Sequence, residues 1–246
     1  MGRSKERREA NAFVVEGVRL VEEAVSAGWK FQFVLYSDGL SERGQDLLKM
    51  LIAHRIDVEE VAGDLLQKVS DTETPQGILA VLEFARLSLP ESPNFILIPD
   101  QIRDPGNLGT LLRTAAATDA QAIFLPPDTT DPFAPKVIRA GMGAHFHLPI
   151  HEMTWDEIRQ VLVRWDLKTL IADMHGTSCW ETDLRRPLAL IIGSEAEGAS
   201  KQAQAIMHEK ICIPMNGNVE SLNAGVAGSV LMFEVVRQRR YTALIG

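Results

Sequence analysis

The chain lacks several features that would settle its class at once. Its 246 residues include 2 cysteines, Cys179 and Cys212, too few and too far apart for a disulfide framework or a thiolate metal site. No apolar run reaches the ~18 residues of a membrane helix. The charged opening MGRSKERREANAF has no apolar export core. No internal repeat or low-complexity tract is visible. The glycines form neither GxGxxG nor GxxxxGK[ST], which speaks against dinucleotide and P-loop sites, and no Gly-x-Ser-x-Gly elbow occurs. His145, His147 and His151 lie close in sequence, and a strand through FHLPI would put the first two on one face. Without a convincing third ligand, no metal is expected. A cytoplasmic protein with no membrane attachment is the expectation.

What is present is the balance of a globular protein, 46% hydrophobic and 24% charged. A net charge of -8 would discourage nucleic-acid binding if it were evenly spread. It is not, because phosphate binding depends on local basic patches. Arg3, Lys5, Arg7 and Arg8 crowd the start, Arg237, Arg239 and Arg240 end the last helical stretch, and Arg103, Arg113, Lys136 and Arg139 form a third group. Each could equally be a solvated helix face.

Along the chain, Ala12–Val15 reads as a strand, EGVRLVEEAVSAG as an amphipathic helix and FQFVLYS as an alternating strand. SERGQDLLKMLIAHR reads as a helix capped by Ser41. DVEEVA, the short helix DLLQKV and the strand GILAVLEF complete a small layered α/β domain over 1–84. ARLSLPESPN, rich in proline and serine, marks a linker over 85–93. From 94 to 246 the strands are more continuous: NFILIPD, AIFLPP, FHLPI, KTLIADM, LALIIGS and KICIPM. Helices over 109–118, 134–142, 155–165 and 201–207 separate them. Unbroken apolar strands alternating with helices predict a mostly parallel sheet covered on both faces, with ligands at the strands' carboxyl ends.

Three of those strand ends lead into loops of similar design. IPDQIRDPGNLGTLLRTAAATDA carries Asn107 in the loop and Arg113 one to two turns into the helix. LIIGSEAEGAS has Gly193, which permits close backbone approach, followed by Glu195 and Glu197. ICIPMNGNVESLNAGVAGSV passes from a β-branched run through Asn216-Gly217 to a helix opened by Ser221-Leu222-Asn223, with Ser221 the default cap. Helix-start amides and loop carbonyls of this kind are free to bond a ligand. Taken singly, Asn107 could be a helix cap, Arg113 a surface arginine and Glu195 part of an acidic loop; three such loops in one domain make the stronger case.

DPGNLGTLLRTA, GSEAEG and IPMNGNVESLNAGVA resemble, in order, the three motifs of the SpoU (TrmH-type) RNA ribose 2'-O-methyltransferases of the SPOUT superfamily. FVVEGVRLVEEA and TPQGILAVLE resemble that family's RNA substrate-binding domain, whose fold is similar to ribosomal protein L30e. The segment after Ser-Leu-Asn departs from the usual Val-Ser-Val-Ala, being Ala224-Gly225-Val226-Ala227. The resemblance implies an L30e-like first domain and a catalytic α/β domain with a C-terminal trefoil knot. It implies S-adenosylmethionine held around Gly193, Ile213, Met215 and Leu222, and a homodimer whose active site draws on both subunits. It assigns catalysis to Arg113, Asn107, Glu195, Ser221 and Asn223. Arg3, Lys5, Arg7, Arg8 and Arg103 would grip the RNA, with 23S ribosomal RNA favoured over transfer RNA. The rival from another class is a non-catalytic RNA-binding protein.

Overall fold

The computed structural model describes residues 3–70, 72, 75–217 and 221–245, with backbone alone for 241–245. In chain order its elements are α1 (Ser4–Glu9), β1 (Ala12–Glu16), α2 (Val18–Ser26), β2 (Phe31–Tyr36), α3 (Glu42–Ala53), β3 (Val58–Glu60), α4 (Gly63–Val69) and β4 (Ile78–Glu83). There follow β5 (Phe95–Pro99), α5 (Pro105–Ala117), β6 (Ala122–Leu125), α6 (Pro135–Gly141), a 3-10 turn (Ala144–Phe146) and β7 (Ile150–Glu152). The chain ends with α7 (Trp155–Arg164), β8 (Lys168–Ser178), β9 (Leu188–Ile192), α8 (Lys201–Ala205), β10 (Glu209–Cys212) and α9 (Ala224–Ile245). It forms two compact units, one holding the described residues through Ala85 plus Phe133–His147, the other Arg86–Pro132 and the residues from Leu148 on.

In the first unit the sheet order is β1-β4-β2-β3, antiparallel except for the parallel β2/β3 pair. Strand alternation puts Phe13, Val15, Val34, Ile78, Ala80 and Leu82 on one face with the apolar sides of α2 and α3. Val14, Phe33, Leu35, Leu79 and Val81 share the other face with Leu66 of α4. Ser41 caps α3 as expected, its hydroxyl accepting from the Gly44 amide. The segment 133–147 completes the first face. Phe133 lies 5.0 Å from the Phe13 ring, Phe146 lies 5.4 Å from Trp29, and the Trp29 indole donates to the Phe146 carbonyl at 3.2 Å.

The expected strand through FHLPI is replaced by the 3-10 turn, and the strand begins only at Ile150. Met142 and Gly143 both take positive φ, 48° and 91°, which turns the chain sharply, and Pro149 cannot donate to a ladder. His145 and His147 therefore do not share a strand face: His145 is buried, and His147 bonds Glu23 at 2.7 Å. His151, on β7, accepts from Arg86 at 2.9 Å through Nδ1 and donates to the Leu87 carbonyl at 2.9 Å. These contacts fix the start of the proline-rich segment to the second unit.

The second unit is a six-stranded sheet in the order β10-β8-β9-β5-β6-β7, parallel at every pair. Every residue of β5, β6 and β9 is buried, as a sheet covered on both faces requires. From β5 the chain first winds outward through β6 and β7, then crosses to build the other half. The direction thus reverses between β5 and β9, and ligands bind outside the carboxyl ends of strands at such a switch point. Helix α5 starts at Pro105 rather than near Gly109, because Asp104 caps it and proline suits the first helical position.

Helix α9 lies against α5. A Cβ on Gly225 would come within 3.3 Å of Thr110, and one on Gly228 would fall on Leu111 Cδ2 and 3.2 Å from Ile192 Cγ1. Thr114 and Ser229 bond across the seam at 2.9 Å. Gly225 and Gly228 are therefore what lets the two helices approach. Gly228→Val is expected to lower stability by about 1–3 kcal/mol through overpacking, read as a lower urea midpoint with unchanged slope.

Candidate active site

The three loops named by the sequence leave the carboxyl ends of the second unit's sheet: one after β5, one after its neighbour β9, and one after β10, which β8 separates from β9. In the loop after β9, Ser194 and Gly198 exchange backbone hydrogen bonds at 3.0 Å, with Gly198 at φ 69°. A Cβ on Gly193 would lie within 2.5 Å of the Gly198 carbonyl oxygen, so only glycine lets this loop fold back on itself.

That fold-back presents Glu195 to the other two loops. Its Oε1 accepts from Asn107 Nδ2 at 2.9 Å, from Asn223 Nδ2 at 2.8 Å and from the Ala224 amide at 3.0 Å. Asn223 also donates to Asn107 Oδ1 at 2.7 Å. The carboxylate sits at the start of α9, where the helix dipole and unpaired amides favour negative charge. Asn223 Oδ1 accepts from the Val226 amide at 3.1 Å, which makes Asn223 the cap of α9 and corrects the expectation that Ser221 is. The helix starts three residues after Ser221, and Ser221 is instead exposed on the wall of the adjoining cavity.

That cavity, of about 360 Å³, is lined by Gly193, Ile213, Met215, Ser221 and Leu222 together with the β8 segment Ala172–His175 and Leu231 of α9. Pairing of β8 with β10 jumps between Lys210 and Ile211, from Ile171 to Thr177, so the intervening residues bow out to form a wall. Asp173 is anchored there by Lys210 at 2.7 Å, and this bond holds its carboxyl below the usual range. Asp173 and this bowed wall were missed in the sequence, where KTLIADM reads as an unbroken strand. A smaller cavity of about 210 Å³ lies on the other side of Glu195, lined by Arg103, Asp104, Asn107 and Glu197 among others. Residues 218–220 of the third motif lie outside the described residues.

The basic residues sort differently. Arg113, on α5, is exposed; the Asn107–Glu195–Asn223 network does not include it, and no hydrogen bond joins its side chain to another described residue. Arg103 is exposed at the smaller cavity. Arg3, Lys5 and Arg8 are exposed on α1, but Arg7 is 2% exposed, because α1 turns that side inward, which removes it from any RNA-facing surface. Arg237 pairs with Glu234 at 2.7 Å. Arg239 lies 5.3 Å over Phe95 and donates to Asn94 and to the Leu184 and Arg186 carbonyls. The end of α9 is a structural clamp.

The fold and site define an α/β enzyme with a small-molecule cavity at its switch point. Residues 94–233 match the model of the SpoU rRNA Methylase family, and residues 1–80 match that of an MRM3-like substrate binding domain. The chain is 31% identical to the 23S rRNA (guanosine(2553)-2'-O)-methyltransferase RlmP of Bacillus subtilis, covering 94% of this chain and 91% of that one. It is 31% identical to the 23S rRNA (uridine(2479)-2'-O)-methyltransferase of Streptomyces viridochromogenes, covering 97% and 87%. The crystal structure of the SpoU methyltransferase AviRb from that organism, in complex with AdoMet, superposes with a TM-score of 0.88 at 30% identity, over 97% of this chain and 94% of that one. The chain belongs to the SpoU methylase family of RNA methyltransferases.

One buried group beside the site has a readable pH signature. Asp100, at the end of β5, is fully buried; burial pushes its carboxyl up, against the bond it accepts from the Ser200 amide at 2.6 Å. A folded carboxyl that keeps its proton longer than the unfolded one contributes stability below the ordinary value of 3.8, and that stability is lost as pH rises toward the raised value. Asp100→Asn is therefore expected to match the parent near that lower limit and gain on it as pH rises, then level off. Urea midpoints across the range check this; a difference that is flat in pH would exclude ionisation of Asp100 as its cause.

Proposed function

We propose that this chain is an S-adenosylmethionine-dependent methyltransferase acting on a ribose 2'-hydroxyl of structured RNA, with 23S ribosomal RNA the favoured substrate. The observation that carries the reading is the joining of three loops through Glu195 beside a cavity of about 360 Å³, within the size range of small-molecule sites. The cavity fits the cofactor in chemistry as well as volume. Apolar walls from Ile192, Ile213, Leu222 and Leu231 face a nucleoside, and the Asp173 carboxylate and loop backbone offer acceptors for its hydroxyls and amino groups. When bound, S-adenosylmethionine supplies an electrophilic methyl group, so the protein's work is positioning and the management of one proton. The relatives that bear on the substrate are 23S rRNA enzymes by name.

Arg113 binds the phosphate next to the target ribose and stabilises negative charge developing on the 2'-oxygen. A guanidinium stays protonated to pH ~12 and above, so it is not the base; a phosphate oxygen or water takes the proton. Asn107 and Asn223 orient the ribose, and Glu195 holds both amides in register with the start of α9. Ser221, on the cavity wall, contacts cofactor or RNA. The need for a 2'-hydroxyl selects RNA over DNA. Arg3, Lys5 and Arg8, with the first unit, grip the RNA alongside Arg103.

The catalytic unit is knotted at its C-terminal loops and acts as a homodimer in the cytoplasm. The dimer reading draws support from α9, whose Val226, Val230 and Phe233 recur at helical spacing and are 47%, 38% and 54% exposed, an apolar stripe of the kind that marks interaction sites.

Calorimetric titration with S-adenosylmethionine tests the reading first, with saturation at about one site per chain expected. Absence of binding by folded protein, with and without ribosomal RNA, would favour the pure RNA-binder. Arg113→Ala is expected to cut methyl transfer by at least about 10²-fold, the scale of losing one charge-stabilising group, with cofactor affinity nearly intact. A large loss of cofactor binding would reassign the residue.

A further inference from the structure

The first unit contains a cavity of about 470 Å³ on the sheet face away from α2 and α3. Its floor is Val14, Phe33, Leu35, Leu79 and Val81, and its other walls come from the end of α4 and from Pro135, Ile138 and Arg139 of α6. Phe33 is half-buried, so its ring lines the cavity without filling it. In one corner Glu16, whose side chain is 10% exposed, lies 4.0 Å from Arg139. It accepts from Ser70 at 2.6 Å and from Thr72. At the mouth stands Lys68, whose side chain is 76% exposed.

We infer that this cavity holds one nucleobase unstacked from the RNA, resting on Phe33 while Lys68 and Arg139 hold the flanking phosphates. The inference deepens the methyltransferase reading and rests on it for the identity of the substrate as RNA. Three features point to a nucleotide rather than a peptide or lipid. The site is in the size range of small-ligand pockets. Its floor is a sheet surface with one aromatic ring, Phe33, the kind of platform on which single-stranded bases stack. Its polar groups lie at its edges: Lys68 at the mouth, 3.8 Å from Asp64, and Arg139 on the wall, 4.0 Å from Glu16, can exchange those carboxylates for phosphate, and the Ser70 and Thr72 hydroxyls beside Glu16 suit the hydrogen-bonding edge of a base.

The test is fluorescence anisotropy of the full chain with a 5'-fluorescein single-stranded RNA dodecamer of mixed sequence. Phe33→Ala is expected to weaken binding about tenfold, the scale of one lost base–aromatic stack, and Ser70→Trp, which fills the mouth from a half-exposed position, to do the same. Lys68→Ala should weaken binding several-fold and flatten its salt dependence by about one ion. Folding of each variant is established by its melting temperature, and Ser70→Trp stands in if Phe33→Ala melts early. Folded Phe33→Ala and Ser70→Trp chains that bind RNA within twofold of the parent would overturn the inference. So would a loss confined to Lys68→Ala, which would leave only a phosphate-binding rim. Titration of the same preparations with S-adenosylmethionine keeps the two readings separable: loss of RNA affinity with cofactor binding intact supports this site, whereas failure of the parent to bind cofactor counts against the methyltransferase reading alone.

Discussion

A single carboxylate oxygen organises the candidate active site. Oε1 of Glu195 takes hydrogen bonds from two side-chain amides and one backbone amide, and each donor belongs to a different constraint. Asn107 is fixed by the capped start of α5, Asn223 by its own cap of α9, and the Ala224 amide by the first turn of that helix. An anion at a helix start gains from both dipole and unpaired amides, so the charge that joins the loops also stabilises α9 where it begins. A chemically simple site follows: rigid amides around one anion, with an arginine nearby that the network leaves uncommitted.

The approach of α9 to α5 makes this geometry available. Gly225 and Gly228 bring the helices close enough that Asn107 and Asn223 touch directly, and α9 is tied down separately about four turns further on. There Gln238 bonds the Cys179 and Thr182 carbonyls and the Leu184 amide, and Arg239 reaches Asn94. A helix held at its start and again at Gln238 and Arg239 keeps its cap in place, which suits a site whose work is positioning. The exposed face of the same helix carries Val226, Val230 and Phe233, so one element serves the network, the core and the apolar stripe.

Much of this was legible in the sequence, because the relevant signals are local. Unbroken apolar strands announce a parallel sheet, Ser41 marks a helix start, and Asn107, Glu195 and Asn223 lie in the segments that follow strand ends, where ligands bind in such a sheet. What was not legible depends on long-range packing. Ser221 looks as good a cap as Asn223, and only the helix start at Ala224 decides between them. Arg7 is one of four clustered cations until α1 forms and turns it inward. Arg239 reads as a phosphate ligand until Phe95 and Asn94 come to it across 144 and 145 residues of sequence. The bowing of β8 beside Asp173 follows from its partner strand and leaves no trace in KTLIADM.

Phe133 and Phe146 give the first unit a property that its strands and helices alone do not suggest. Its core contains Phe13 and Trp29, and the rings that close over them are encoded more than a hundred residues later. As the chain leaves the ribosome, where domains generally fold from the N-terminal end, the first strands and helices emerge with part of their apolar face still uncovered. Two strands of the second unit, β5 and β6, are made before residue 147 appears. The unit made first is thus finished late, and its completion is tied to synthesis of the unit that carries the chemistry.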